Sequence, residues 1–362
     1  MADFWHPTRS MFGCYSFPNH VLSDRPELGL GVAAPTFREA LAVELPGVQF
    51  EHVRGCPVRE PDTSGIQEAV DLARAADIAL VVVGDLPGMF GIGTSGEGCD
   101  VEDLRLPGVQ EQLVDAVLDT GTPTVLLVCS GRPYAVGRFH GRAAAIVQTF
   151  LPGEEGGPAL ASLLAGRANF RGKLPAQIGS SPGGQPHTYL HAPLGGKQSA
   201  LSNLDPSPTF PFGHGLSYTR FDVADMRVDR TQVGCDEEFE VSVHVANTGG
   251  RAGVEVVQLY GTDPVAQVAR PVRALLSFAA VDLAAGERAI VVFRVHAEHF
   301  AYTGLDGHLV VEPGVIVLAA GRSSEDLPAT AEVRLTGPAR RLRKREYEHV
   351  DHRIVIEVAV RR

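Results

Sequence analysis

Ile78-Ala79-Leu80-Val81-Val82-Val83-Gly84 is an apolar run closed by glycine, and Thr124-Val125-Leu126-Leu127-Val128-Cys129-Ser130 repeats the pattern after an amphipathic stretch. A strand that is apolar at nearly every position is buried on both faces, the condition of a strand in a parallel sheet covered by helices. Residues 48–53 (VQFEHV) and 144–150 (AAIVQTF) are read as two further strands. Between the first two runs, Val109, Leu113, Ala116 and Val117 recur at helical spacing, and Gly121 is placed to stop that helix. Thr36-Phe37-Arg38-Glu39 opens a helix with a capping-box pattern, and Ser64-Gly65-Ile66-Gln67 is read as a second such opening. The first half is therefore predicted to be an α/β sandwich, a parallel-rich sheet with helices on both faces.

Between the strand at 78–84 and the following helix lies Gly93-Thr94-Ser95-Gly96-Glu97-Gly98-Cys99-Asp100. Glu97 stands between two glycines, so little local bulk shields its carboxylate and the backbone can approach a ligand closely, which suits a proton donor reaching into another surface. Taken alone, these eight residues favour a solvated glutamate on a turn; the rest of the chain reverses that balance. Six of the eight residues from 91 to 98 are glycine or small hydroxyl residues, which predicts a mobile loop with few apolar anchors.

Residues 203–219 carry three prolines and two glycines, which forbid a long helix or a central strand, and mark a linker. Beyond it, FEVSVHVAN, VEVVQLYG, ALLSFAAVDL, AIVVFRVH and VIVLAAG are short alternating strands separated by turn signals, with no helix between them. This pattern predicts an all-β, fibronectin type III-like sandwich over 220–337. The division is thus 1–202 for the α/β domain, 203–219 for the linker, 220–337 for the β-sandwich and 338–362 for a C-terminal tail.

At 362 residues there is length for two cores. A net charge of −11 argues against broad binding to nucleic acid or to an anionic membrane, because either needs a basic face. The local run Arg340-Arg341-Leu342-Arg343-Lys344-Arg345 is read as part of the solvated tail. No apolar run reaches membrane-span length and no signal peptide is visible, so a cytoplasmic location is the expectation. The five cysteines are scattered without metal or redox spacing and are expected to be reduced. His187 and His191 have no H-E-x-x-H frame, so no metal site is assigned to them.

Two motif matches fail on context. Gly91-Ile92-Gly93-Thr94-Ser95-Gly96 fits the dinucleotide fingerprint, but no helix opens directly behind it and no acidic ribose ligand follows. The nucleophile elbow G-x-S-x-G fails because Glu97 occupies its last position.

Several strings, in shared order and spacing over nearly the whole chain, resemble the C-terminal two-thirds of family 3 glycoside hydrolases, the β-glucosidase and β-xylosidase group. They are Phe12-Gly13-Cys14-Tyr15, Ser95-Gly96-Glu97-Gly98-Cys99-Asp100, Leu104-Arg105-Leu106-Pro107-Gly108-Val109-Gln110 and Ser130-Gly131-Arg132-Pro133-Tyr134. Pro152-Gly153-Glu154-Glu155-Gly156-Gly157, Gly172-Lys173-Leu174-Pro175, Phe210-Pro211-Phe212-Gly213-His214-Gly215-Leu216-Ser217-Tyr218-Thr219 and Arg270-Pro271-Val272-Arg273 continue the series. The resemblance implies a TIM-like barrel that supplies an aspartate nucleophile, an α/β domain that supplies a glutamate acid/base, and a fibronectin type III-like domain behind it. This chain looks like the last two, with the acid/base glutamate falling on Glu97. The family's Asp-Arg pair appears here as Asp100-Val101, a departure from the pattern.

Retaining glycosidases need a second carboxyl about 5 Å from the first, across the scissile bond. Asp100, Glu102 and Asp103 are rejected as that second group, since neighbours on one loop rarely face each other across a sugar. Glu154 and Glu155 are read as holding a turn or capping the next helix. The resemblance further implies that the nucleophile-bearing barrel is missing from these residues, together with the first strand of the α/β domain, so that the chain is a C-terminal fragment of a retaining exo-β-glycosidase. It is expected to be inactive alone, to need no cofactor, and to act with a barrel domain in trans on terminal β-linked glucosides or xylosides. The alternative is a non-catalytic carbohydrate- or protein-binding module, or a relic, in which Glu97 is merely inherited. Glucose and xylose stay undistinguished, because the sugar-contacting residues of the family lie in the barrel.

Overall fold

A computed structural model describes residues 7–21, 25–184, 187–196, 198, 200–347 and 349–357. Its contacts divide the chain into two compact units, Met1–Ala168 with Ile178–Gln185, and Asn169–Gln177 with Pro186–Arg362. The division falls earlier than the linker expected at 203–219. Short-range chemistry explains why Asn169–Gln177 joins the second unit: the Asn169 side chain accepts from Tyr218 N at 2.8 Å, and Lys173 forms an ion pair with the buried Glu255 at 2.7 Å.

The first unit contains α1 (Phe17–His20), α2 (Phe37–Glu44), α3 (Ile66–Ala75), β1 (Ala79–Gly84), α4 (Gln110–Leu118), β2 (Thr124–Cys129), β3 (Ala145–Gln148), α5 (Gly156–Leu164) and the short β4 (Ile178–Gly179). Three strands form a parallel sheet in the order β1-β2-β3, with Ala79 opposite Thr124 and Val125 opposite Ala145. The central strand is the one buried on both faces, with Leu126, Leu127 and Val128 fully enclosed. At the edge strand β1 burial alternates from Ala79 to Val83: Val81 and Val83 face the core, while Leu80 and Val82 are 37% and 48% exposed. Helices α3 and α4 pack as one pair, and α2 and α5 as another through Ala40, Leu41 and Ala161.

The expected strand at 48–53 does not form. Its apolar alternation is present, but no strand among the described residues runs beside it to complete a ladder, so the segment stays irregular with Val48 exposed. The capping box at Thr36 is present, with Glu39 N donating to Thr36 Oγ1 at 3.2 Å and Thr36 N to Glu39 Oε2 at 2.8 Å. The second opening differs. Gly65 is the N-cap of α3 and has no side chain to make a capping bond, while Asp62 takes the Ser64 amide at 2.9 Å in the preceding turn. Glu155 sits at the N-cap of α5, also without a side-chain capping bond.

The second unit is all-β: β5 (Pro208–Phe210), β6 (Phe221–Val228), β7 (Gln232–Gly234), β8 (Glu238–Asn247), β9 (Gly253–Thr262), β10 (Ala274–Leu283), β11 (Arg288–His296), β12 (Tyr302–Thr303), β13 (Leu309–Val311), β14 (Gly314–Gly321), β15 (Ala329–Thr336), β16 (Arg340–Leu342) and β17 (Asp351–Glu357). Sheets of order β10-β9-β14-β15-β7 and β17-β11-β8-β6 form the sandwich, and β12-β13-β16 a smaller third sheet. Period-two burial builds the core: Phe239, Val241, Val243 and Val245 on β8 and Ala289, Val291, Phe293 and Val295 on β11 lie in one cluster with Leu259, Val281, Ile316 and Leu318.

The segment read as a solvated tail is structured. Arg340–Leu342 is β16, antiparallel to β13, and Asp351–Glu357 is β17, antiparallel to β11 with Ile354 opposite Val291. The basic run is held by charge: Arg340 pairs at 2.7 Å with Glu298, which is fully buried, and Arg341 pairs at 2.5 Å with Asp306. Residues 358–362 lie outside the described part.

Candidate active site

The loop that carries Glu97 begins where β1 ends. Gly84 has φ +139°, and a Cβ there would lie 1.9 Å from the Cys129 carbonyl oxygen, so only glycine lets β1 finish this close to β2. Gln110, the first residue of α4, clamps the same glycine by accepting from its N–H at 2.7 Å and donating to its carbonyl at 2.9 Å. The helix after the loop therefore fixes where the loop departs from the sheet.

The next residue, Asp85, is 1% exposed. A carboxylate this deeply buried must be satisfied by donors, and it is. Oδ1 accepts from the Thr94 hydroxyl at 2.9 Å and from the Tyr134 hydroxyl, and Oδ2 accepts from Gly131 N at 2.8 Å. Burial, with Asp85 beside it, pushes the Tyr134 phenol well above its ordinary range, so Tyr134 stays a donor. Thr94 Oγ1 in turn accepts from Leu86 N at 2.9 Å, and the Arg132 guanidinium donates to the carbonyls of Thr94 and Cys99. The Ser130–Tyr134 string thus ties the far side of the loop to the end of β2.

Backbone bonds within the loop complete it: Gly88 N to Ser95 O at 2.9 Å, Phe90 N to Glu97 O at 2.8 Å, Thr94 N to Leu86 O at 2.8 Å and Cys99 N to Gly96 O at 3.1 Å. Where composition predicts a mobile loop, the loop is folded back on itself by backbone bonds, with Pro87 and Ser95 in a parallel bridge. Small residues here permit close backbone approach. At Gly96, φ is +122° and a Cβ would meet Gly88 O at 2.1 Å and Cys14 Cβ at 2.7 Å.

This frame leaves Glu97 exposed at the surface of the unit, where its Oε2 accepts from the Tyr15 hydroxyl. That bond comes first among the causes that raise the Tyr15 phenol above its ordinary value. Asp103 is engaged in a local turn, accepting from Arg105 N at 2.9 Å, while Asp100 and Glu102 are exposed. The helix behind the Gly91–Gly96 fingerprint begins only at Gln110, and Glu97 rather than a helix N-terminus is what the loop presents. His191 bonds to Ala192 O at 2.9 Å in an exposed loop. Among the described residues no group of three or more His, Cys, Asp or Glu side chains could hold a metal ion, and no helix is long and apolar enough to cross a membrane.

The exposure of Glu97 fits its glycine neighbours. Asp85, Tyr134, Arg132 and Tyr15 were not assigned roles, although three of them stand inside the matching strings; the signal for Asp85 was a lone acidic residue directly after an apolar strand, where a buried charge needs partners from elsewhere in the chain.

Comparison with known proteins gives the family. Residues 5–218 match the Glycosyl hydrolase family 3 C-terminal domain, and residues 255–324 match the Fibronectin type III-like domain. A β-xylosidase of Formosa agariphila is 34% identical over 280 residues, which is 77% of this chain and 38% of that protein. A β-glucosidase of Rhizobium radiobacter is 31% identical over 353 residues, covering 92% of this chain and 42% of that protein. The solved structure of a β-glucosidase from Erythrobacter marinus superposes with a TM-score of 0.74 at 34% identity, over 84% of this chain and 44% of that one. The chain thus spans about two fifths of the length of these relatives. On the match of more than half its residues, together with the α/β and β-sandwich units in the expected order, the chain belongs to glycoside hydrolase family 3, of which it carries the C-terminal domain and the fibronectin type III-like domain.

Proposed function

We propose that this chain supplies the acid/base half of a retaining exo-β-glycosidase that acts on non-reducing terminal β-linked glucose or xylose. The observation that carries this reading is the placement of Glu97: a carboxylate exposed at the surface on a loop that Asp85, Arg132 and Tyr134 fix to the sheet. A proton donor for a partner surface needs both exposure and a fixed position. The second carboxylate comes from a barrel domain outside these residues, and the β-glucosidase and β-xylosidase names of the relatives support the substrate class. No metal or organic cofactor enters the scheme, since two carboxylates and water suffice.

Without the nucleophile, the chain alone hydrolyses aryl β-glucosides and β-xylosides no faster than buffer. Turnover that appears when the remaining portion of a family 3 relative is added, and disappears with Glu97→Gln, supports the reading. Clear turnover by the purified chain alone, abolished by Glu97→Gln, would show that the second carboxylate lies within these residues.

A further inference from the structure

The segment 12–16 meets the Glu97 loop at two points. Gly13 O accepts from Ser16 N at 3.1 Å and from Ser16 Oγ at 2.6 Å, closing a tight turn that leads into α1. Cys14 packs against Gly96, where an added Cβ would lie 3.0 Å from its Sγ. One residue on, the Tyr15 hydroxyl donates to Oε2 of Glu97. The turn therefore seats itself on the glycine beside the glutamate and brings a phenol to one of its two oxygens. Among the described residues, Cys14 and, at 6.2 Å between ring centroids, His20 are the other titratable groups that meet Tyr15.

We propose that Tyr15 is a positioning residue for the acid/base carboxylate: it occupies Oε2 and leaves Oε1 as the oxygen that exchanges a proton with the leaving group. This rests on Glu97 being the acid/base. In the first step the Oε1–H bond breaks and a new O–H bond forms on the glycosidic oxygen. That oxygen keeps the electron pair of the breaking C–O bond, while the anomeric carbon bonds to the carboxylate nucleophile of the barrel. In the second step water bonds to the anomeric carbon and gives a proton to Oε1, and the nucleophile departs as carboxylate. Tyr15 keeps its own proton throughout. Its hydrogen bond is ordinary toward the neutral acid and charge-assisted toward the carboxylate, so it stabilises Glu97 more after proton donation than before.

The intact chain carries the first test. With 13Cζ-labelled tyrosine, and Tyr15→Phe to assign the resonance, the Tyr15 titration midpoint should fall in Glu97→Gln while the other tyrosines keep theirs; an unchanged midpoint overturns the proposal alone. The second test joins the chain to the barrel portion of a relative. There Tyr15→Phe should lower kcat/KM about tenfold, the worth of one charge-assisted hydrogen bond, and alter its pH profile, yet add no further loss in a Glu97→Ala background. An equal loss in that background means Tyr15 acts only on structure and overturns the proposal. Full activity of Glu97→Ala overturns the acid/base reading, and the proposal with it, whatever the titration shows.

Discussion

The carboxylate of Asp85 accepts the hydroxyl of Thr94 at 2.9 Å across nine residues of chain, and this bond joins the C-terminal end of a sheet strand to the loop that presents Glu97. Tyr134 and Gly131 bring two more donors to the same carboxylate from the end of the neighbouring strand. A buried charge is stable only while its donors stay in place, so the position of the loop and the satisfaction of Asp85 are one condition.

Removing a single donor should therefore cost stability. Thr94→Val and Tyr134→Phe are each expected to destabilise the first unit by about 1–3 kcal/mol. Asp85→Ala, which strands three donors, should cost more than either. Denaturant unfolding followed by a probe confined to the first unit measures this; no change in midpoint for all three variants would mean that the carboxylate carries no structural role.

Hydrogen exchange should find the loop ordered. The amides of Gly88, Phe90 and Thr94 donate to Ser95, Glu97 and Leu86 carbonyls and are expected to be protected well above the rates of an unstructured peptide. In Asp85→Asn that protection should drop while Leu126 to Val128 in the central strand keep theirs.

The second unit should weaken in acid. Burial alone would raise the Glu298 carboxyl, but the Glu346 amide and the Arg340 guanidinium outweigh it and hold the group below the usual carboxylate range. A lowered folded value means that Glu298 contributes stability above its unfolded pKa of about 4.3, and that this contribution is lost as pH falls through the folded value. Arg340→Ala should cost about 3 kcal/mol near neutrality, as expected for stranding a buried partner, and flatten the acid limb of the stability curve.

Truncation after Gly337 provides a related check. It deletes β16, β17 and the Glu298 partners Arg340 and Glu346, and exposes the edge of β11. Such a chain should melt at lower temperature and self-associate; unchanged melting would show that the last strands add nothing to the sandwich.

Local patterns in the sequence carried much of this architecture. The runs at 78–84 and 124–130 are apolar enough to demand a parallel sheet, and the alternation in FEVSVHVAN and AIVVFRVH dictates the two facing layers of the sandwich. What failed depended on partners distant in the chain. VQFEHV has the pattern of a strand but, among the described residues, no neighbour to pair with, and the basic run from Arg340 looks solvated until the buried Glu298 is known. Loop composition misled in the same way: glycines that raise the entropy of a free loop also let backbones approach, and here the approach dominates because Asp85 and Arg132 anchor both flanks.

The central claim is that Glu97 gives and takes the proton, and leaving-group dependence tests it most directly. In the chain joined to the barrel portion of a relative, Glu97→Ala should lower the cleavage rate of a phenyl β-glucoside by about 10²–10⁴, since that leaving group needs protonation. The formation of the glycosyl intermediate from 2,4-dinitrophenyl β-glucoside, whose leaving group departs unaided, should be nearly unaffected. Equal losses on the two substrates, or no loss on either, would contradict the account.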